Sequence, residues 1–299
     1  MQPTEKINLR EERNLGEKLN ATFGFISQNF KSLSGVIFYL CAPPLIICGI
    51  GYSTFFATFF RNVTAMRYMQ NTGVADIFMN SGLAFAIIAI FIMMMVAYSL
   101  VPLVCYCYLK IYYQQMDIAE ITANDVWKEV KPRLLPVIGW NMLLLLMIIV
   151  SCFFFIVPGI YFGIVFSLFN VVYVMEEKPF GETLSRCFAL IKGKWWSTFG
   201  IILVCGLVVN LIGIIFQIPV WILTMASAFM KWDVADILTV TMVSNTFSIV
   251  AQMMFMSITL IGLGFQYFNL AERLDGTGMR ELIASIGTNK TLIPDEGEY

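Results

Sequence analysis

At 299 residues the chain could make one large domain or two ordinary ones, yet 59% of it is hydrophobic and only 13% charged, about half the charge of a typical soluble domain. A net charge of −1 implies no bulk attraction to nucleic acid, and the absence of histidine removes His-ligated metal sites and His general bases. Five stretches, 32–60, 77–109, 134–175, 195–230 and 237–271, contain no Asp, Glu, Lys or Arg. Each exceeds the roughly 20 apolar residues that cross a bilayer as a helix. Hydrocarbon offers no partner to backbone polar groups, so each crossing segment must be helical, and the fold class is all-α, a polytopic membrane bundle.

The first 31 residues are mixed in charge and hold no cleavable signal peptide pattern. Within them LGEKLNATFGFISQNF, residues 15–30, places Leu15, Leu19, Phe23, Ile26 and Phe30 on one helical stripe. This predicts an amphipathic helix lying in the headgroup layer and leading into the first span, which acts as an uncleaved anchor. Beyond 32–60 come Arg61, Arg67 and the glycosylation sequon Asn62-Val63-Thr64, a motif short enough to recur by chance. The second span, 77–109, is followed by NDVWKEVKPRLLPVI, where Trp127, Val130 and Leu134 repeat the stripe more weakly. Thr122 and Asp125 form a candidate capping pair at its start.

The run 134–175 has 42 residues, about 63 Å as one helix, twice the hydrocarbon thickness of about 30 Å. Pro158-Gly159 in FIVPGIYF predicts the tip of a hairpin, because proline disfavours helix before it and glycine accepts turn conformations. Spans at about 134–156 and 160–176 then bring the total to six. FGETLSRCFALIKGKWW follows, with Phe180, Leu184, Phe188, Ile191 and Trp195 at the spacings of the first stripe; without gaps, Gly16 aligns with Gly181 and Glu17 with Glu182. The last two spans are 195–230 and 237–271, with Asp275-Gly276 as the turn ending the final helix. Pro43-Pro44, Pro102 and Pro219 are candidate kinks or interruptions.

With six spans, sixteen Lys and Arg fall on the side of the termini and three, Arg61, Arg67 and Lys231, on the other. The positive-inside bias places both termini in the cytoplasm. The chain reads as a single integral membrane domain of two or three cytoplasmic amphipathic helices and six transmembrane helices. A three-fold repeat of interfacial helix plus hairpin is expected at 10–112, 118–176 and 178–272, with a cytoplasmic tail at 273–299. Lys31, Lys131, Arg133, Arg186, Lys192, Lys194, Trp195 and Trp196 are the residues expected to meet headgroups, anionic ones in particular. The partners expected are thus membrane lipids, with a membrane-protein partner as a further candidate and no nucleic acid.

Uncharged polar residues fall on helical faces: Ser167 and Asn170 in the fourth span, Asn210 and Gln217 in the fifth, Asn245, Ser248, Gln252 and Gln266 in the sixth. Such faces serve either helix packing or a permease or lipid-translocator pathway. The spans carry no charge of the kind that marks proton relays, and the seven cysteines read as small apolar residues rather than a disulfide framework. No catalytic motif, cofactor or metal site is expected. Glu176, Glu177 and Arg186 are the only candidates for an enzyme acting on lipid headgroups, and Glu176-Glu177 reads more simply as a solvated helix end. The leading expectation is a non-catalytic scaffold or lipid-contacting subunit.

The stretch IVPGIYFGIVFSLFNVVYVMEEKPFGETLSRCFALIKGKWWSTFGIILV resembles the membrane domain of bacterial glycerophosphodiester phosphodiesterases and related uncharacterised inner-membrane families. The resemblance is carried by Pro158-Gly159, Glu176-Glu177, Ser185-Arg186 and Lys192 to Trp196. It implies an all-helical fold in a bacterial cytoplasmic membrane. It does not imply phosphodiesterase activity, because that chemistry belongs to a separate soluble barrel for which this chain has no room.

Overall fold

A computed structural model describes residues 6–66, 83–115, 120–230 and 234–276, and these are helical with no strand among them. In chain order the helices are α1 (Leu15–Met66), α2 (Leu83–Gln114), α3 (Ala123–Phe154), α4 (Ile156–Phe166), α5 (Phe169–Glu176), α6 (Phe180–Ile191), α7 (Trp195–Met230) and α8 (Val234–Asp275). Six stretches, with α4 and α5 taken together as one, are long and apolar enough to cross a membrane. The chain is a multi-pass membrane protein. Arg67, Lys231, Trp232, the 277–299 tail and the side chains of Arg61 and Asn62 lie outside the described residues.

Local signals explain where helices begin and end. Asn14 opens α1 with a reciprocal cap: its Oδ1 accepts from the Glu17 amide at 3.0 Å and its own amide donates to Glu17 Oε2 at 2.8 Å. Thr122 caps α3 as expected, accepting from the Asp125 amide at 3.4 Å while its hydroxyl donates to Asp125 Oδ2 at 2.6 Å. At the other end of the chain, Gly276 donates to Glu272 O at 2.7 Å beyond the last turn of α8. That helix therefore runs past the expected start of the tail at 273.

Three expectations are corrected. Residues 15–30 and 123–133 are not separate interfacial helices, because α1 and α3 continue through them without a break. Only the segment 180–191 is detached from its span, by a turn at 192–194 in which Gly193 takes φ +72°. The hairpin turn lies at Phe155, a single extended residue (φ −157°, ψ 137°), rather than at Pro158-Gly159. Pro158 sits in the first turn of α4, where its missing N–H costs nothing. Gly159 meets Cys152 so closely that an added Cβ would lie 2.1 Å from Sγ. The pair brings the hairpin arms together without forming the turn. Finally, Pro43-Pro44, Pro102 and Pro219 do not interrupt their spans, since α1, α2 and α7 run as helices through them.

The bundle centres on α8, which packs antiparallel to α1 and α7. Lys18 of α1 meets Gln266, and Ser53 meets Met242 near the opposite end. Ser197 of α7 joins the Lys18–Gln266 level, and Phe216 meets Ser248 farther along. Helix α2 fills the third side, its turn from Leu103 to Leu109 wholly buried. Phe25 of α1 packs edge-on against Tyr108, Tyr112 and Phe265, a geometry that adds about 0.5–1.5 kcal/mol per pair.

Candidate functional site

Charged side chains gather at one end of the bundle, and most are spent on each other. Lys110 of α2 reaches Glu129 of α3 at 3.2 Å and also bonds Glu177, which follows α5. Arg133, one turn beyond Glu129 on α3, bonds that carboxylate at 2.8 Å and shares Glu177 with Lys110. Glu177 adopts a left-handed conformation (φ 53°), which costs a non-glycine residue about 1–2 kcal/mol; the two cations on its carboxylate offset that. Hydrogen bonds from Lys110 and then Arg133 hold its pKa below the ordinary glutamate value.

Glu176 points into a second cluster. Its Oε1 accepts from Arg186 Nε at 2.9 Å and from the Tyr267 hydroxyl at 3.1 Å, and its Oε2 accepts from Lys178 at 2.7 Å. Arg186 also bonds Asp275 at the end of α8. Burial pulls the Arg186 guanidinium down, but its bonds to Asp275 and Glu176 outweigh this and leave it above its ordinary value. Beside it, burial raises the Cys187 thiol to about 12, leaving it inert. A polar chamber of about 310 Å³ lies among Arg10, Lys110, Tyr113, Glu176, Arg186 and Asp275. The adjacent carboxylates Glu176 and Glu177 belong to separate clusters, each bonded to its own pair of cations.

A third polar centre is buried. Lys18 is 4% exposed, and its ammonium donates to Gln266 Oε1 at 2.7 Å, Ser197 Oγ at 3.1 Å and Asn269 Oδ1 at 3.4 Å. Gln266 passes the network on to Thr198 Oγ1 at 3.0 Å. The amide nitrogen of Asn269 donates to the Arg13 carbonyl at 3.2 Å, tying down the segment before α1. The sequence stripe Leu15, Phe23, Phe30 is exposed instead, and Lys18, Thr22 and Phe25 face the core. In α6 the aligned positions Thr183, Cys187 and Leu190 are buried too, but there the stripe residue Ile191 is buried beside them and Phe180, Leu184 and Phe188 pack against the core.

The residues expected at headgroups divide. Lys31, Lys131, Lys192 and Trp196 are exposed, and Lys194 is half-buried. Arg133 and Arg186 are held in the ion-pair clusters. Trp195 lies parallel to Tyr161 (7°, 6.4 Å) and Phe199 (9°, 5.4 Å), and its indole donates to the Tyr161 carbonyl at 3.5 Å.

The polar residues of the last three expected spans differ in their surroundings. Ser167 donates to Ile164 O at 2.7 Å and Asn210 to Gly206 O at 2.8 Å, each within its own chain turn. Ser248 donates to Phe216 O at 3.4 Å, Gln252 is exposed, and Gln217 and Asn245 are half-buried. Gln266 belongs to the Lys18 network. Asn170 Oδ1 is buried without a hydrogen-bond partner among the described residues.

A separate apolar groove of about 660 Å³ opens between α1 and α8, lined by Ile26, Phe30, Leu33 and Ile37 on one side and by Val250, Met254 and Phe216 on the other. Its few polar neighbours are hydroxyls such as Thr246, which donates to its own Met242 carbonyl at 2.8 Å. Lys31 stands exposed between groove residues Phe30 and Leu33 along the helix. Sequence patterns gave no sign of the groove, because its walls look like any other apolar helix faces.

Among the described residues no cluster of His, Cys, Asp and Glu is suited to hold a metal ion. A family model described as a domain of unknown function (DUF8558) matches residues 126–260, from the first turns of α3 into α8. No curated protein and no solved structure matches the chain.

Proposed function

We propose that this chain is a non-catalytic, lipid-contacting membrane protein of the bacterial cytoplasmic membrane, with both termini on the cytoplasmic side and its groove occupied by a phospholipid acyl chain. The groove carries the reading. Its volume falls within the range of about 300–1,000 Å³ of small-molecule sites, and its walls offer an occupant apolar contact and almost no hydrogen bonding. A polar solute would lose its hydration there without replacement, whereas an acyl chain loses nothing. Lys31, exposed beside the groove residue Phe30, supplies a cation that favours an anionic lipid, and the excess of Lys and Arg on the side of the termini supports the orientation.

Native mass spectrometry of the protein in mild detergent tests this. The unmodified protein should retain phospholipid, anionic species preferentially. Val250→Trp, which fills the groove, should lose most of it, while Leu211→Trp on the exposed face of α7 should not. Equal lipid retention by the Val250→Trp variant and the unmodified protein would refute the reading.

A further inference from the structure

We infer that the hairpin of α3 and α4 is re-entrant: it enters and leaves the bilayer on the basic side, and its bare apex, Phe153 to Val157, is covered by acyl chains of that leaflet. Length and composition alone treat the two arms as crossing helices. The contacts of α4 place them differently.

The depth of the apex follows from Trp195. This residue opens α7 beside Lys194, and two residues on, Ser197 meets Lys18 near the start of α1, so Trp195 lies at the basic end of the bundle. Tyr161 lies against it, joined by ring contact and by the indole hydrogen bond. Phe162 and Phe166 continue the seam onto Phe188 of α6, and Arg186 of that helix bonds Asp275, also at the basic end. Tyr161 is six residues from Phe155, about 9 Å along a helix. Each arm runs 22 residues from the Arg133–Glu177 pair to Phe155, about 33 Å along a helix, yet Tyr161, 16 residues from Glu177, still meets Trp195 at the basic end; the arms therefore lean across the bundle, and the apex stops inside a hydrocarbon layer of about 30 Å.

The chemistry of the apex agrees. Phe153, Phe154, Phe155, Ile156 and Val157 are 69–87% exposed, and no charged residue or tryptophan lies between 141 and 175. The two connections on the side opposite the termini carry Arg61, Arg67 and Asp76, or Lys231, Asp233 and Asp236. Five adjacent bare apolar side chains are costly in water, at about 25 cal/mol per Å², and need hydrocarbon. The backbone tolerates that depth because both arms are helical, and Phe155 N–H donates to Ser151 O at 3.0 Å. A re-entrant hairpin leaves the side of every charged segment unchanged, so the positive-inside bias fits four crossings plus a hairpin as well as it fits six.

Spin labels along α3 distinguish the two arrangements. Cys152 is the one exposed cysteine among the seven, so Cys152→Ser removes background labelling. Single cysteines are then placed at the exposed positions Leu143, Leu146, Val150 and Phe154, and each protein is labelled in detergent and reconstituted into phospholipid vesicles. The ratio of collisions with oxygen to collisions with a water-soluble nickel chelate reports depth. We expect the ratio to rise steadily to residue 154. A maximum near 143–146 followed by a fall at 154 would restore two crossings and overturn the proposal. Low collision rates with both reagents at 154 would also overturn it, because protein rather than lipid would then cover the apex. The inference rests on the lipid-contacting reading but not on the groove: these ratios report depth whether or not Val250→Trp releases lipid, so either idea can fail alone.

Discussion

Arg133 and Glu177 lie 44 residues apart, equidistant in sequence from Phe155, and form an ion pair that closes the base of the α3–α4–α5 hairpin. Lys110 bonds the same carboxylate oxygen from α2. One acceptor thus fastens three elements at one level, and the left-handed backbone at Glu177 turns the chain there toward α6.

Removing the arginine should loosen this base. Arg133 is largely buried but Glu177 is half exposed, so water screens the pair and the cost falls below the 3–5 kcal/mol of a fully buried one. Arg133→Ala should destabilise the protein by about 1–2 kcal/mol, read as a lower melting temperature in detergent. Combined with Glu177→Ala in a double-mutant cycle, it should show favourable coupling. Strict additivity of the two losses would show that the contact contributes nothing.

Acid should weaken the same junction. The folded-state pKa of Glu177 is held below its ordinary value by Lys110 and Arg133. Its contribution is therefore fully present above the unfolded pKa of about 4.3 and is lost as the pH falls toward the depressed folded value. Glu177→Gln should be less stable than the unmodified protein at pH 7, and the gap should narrow below about pH 4.3. A gap that stays constant to pH 3 would remove Glu177 from the linkage.

The crossing segments were legible because hydrocarbon imposes a one-dimensional rule, a long stretch without charge, and 32–60 or 195–230 satisfies it unaided. The caps at Thr122 and Gly276 were legible because they are local. The burial of Lys18 left no sign because a stripe that includes Leu15, Phe23 and Phe30 marks the inner face of a helix in water, but in lipid those residues can face outward and leave a polar face for the core. The turn at Phe155 was missed because Pro158 has two meanings, a breaker after a helix and an acceptable residue in the first turn of the next. Ion pairs such as Lys110–Glu177, 67 residues apart, leave no periodic trace. The depth of the hairpin depends on Tyr161 meeting Trp195, a contact that neither charge counting nor span length encodes.

Burial makes Lys18 sensitive to a shape-preserving change. Lys18→Met retains the aliphatic stem but leaves the side-chain oxygens of Gln266, Asn269 and Ser197 without their donor. Each acceptor left unsatisfied costs about 1–3 kcal/mol, less where partners rearrange. Lys31→Met, on an exposed lysine, should stay within about 0.5 kcal/mol. Thermal melting of the two variants side by side gives the answer, and equal melting temperatures would mean that the ammonium is solvated rather than bonded in the seam.

The closest approach between the hairpin arms gives a test with its own rescue. An alanine Cβ at Gly159 would sit 2.1 Å from Cys152 Sγ, a distance no real contact adopts, so Gly159→Ala must push α4 away from α3 or twist Cys152 off its rotamer. Overpacking of this kind costs about 1–3 kcal/mol. Removing the sulfur with Cys152→Ala leaves Cα and Cβ as the nearest atoms, both 3.2 Å from the new methyl, tight but within reach of a small shift. The double variant should therefore recover most of the stability lost by Gly159→Ala, although each change removes or adds atoms at the same place. If the double variant melts at or below the single glycine variant, the arms do not meet at Cys152 and Gly159, and the packing of the hairpin described above is wrong at its apex.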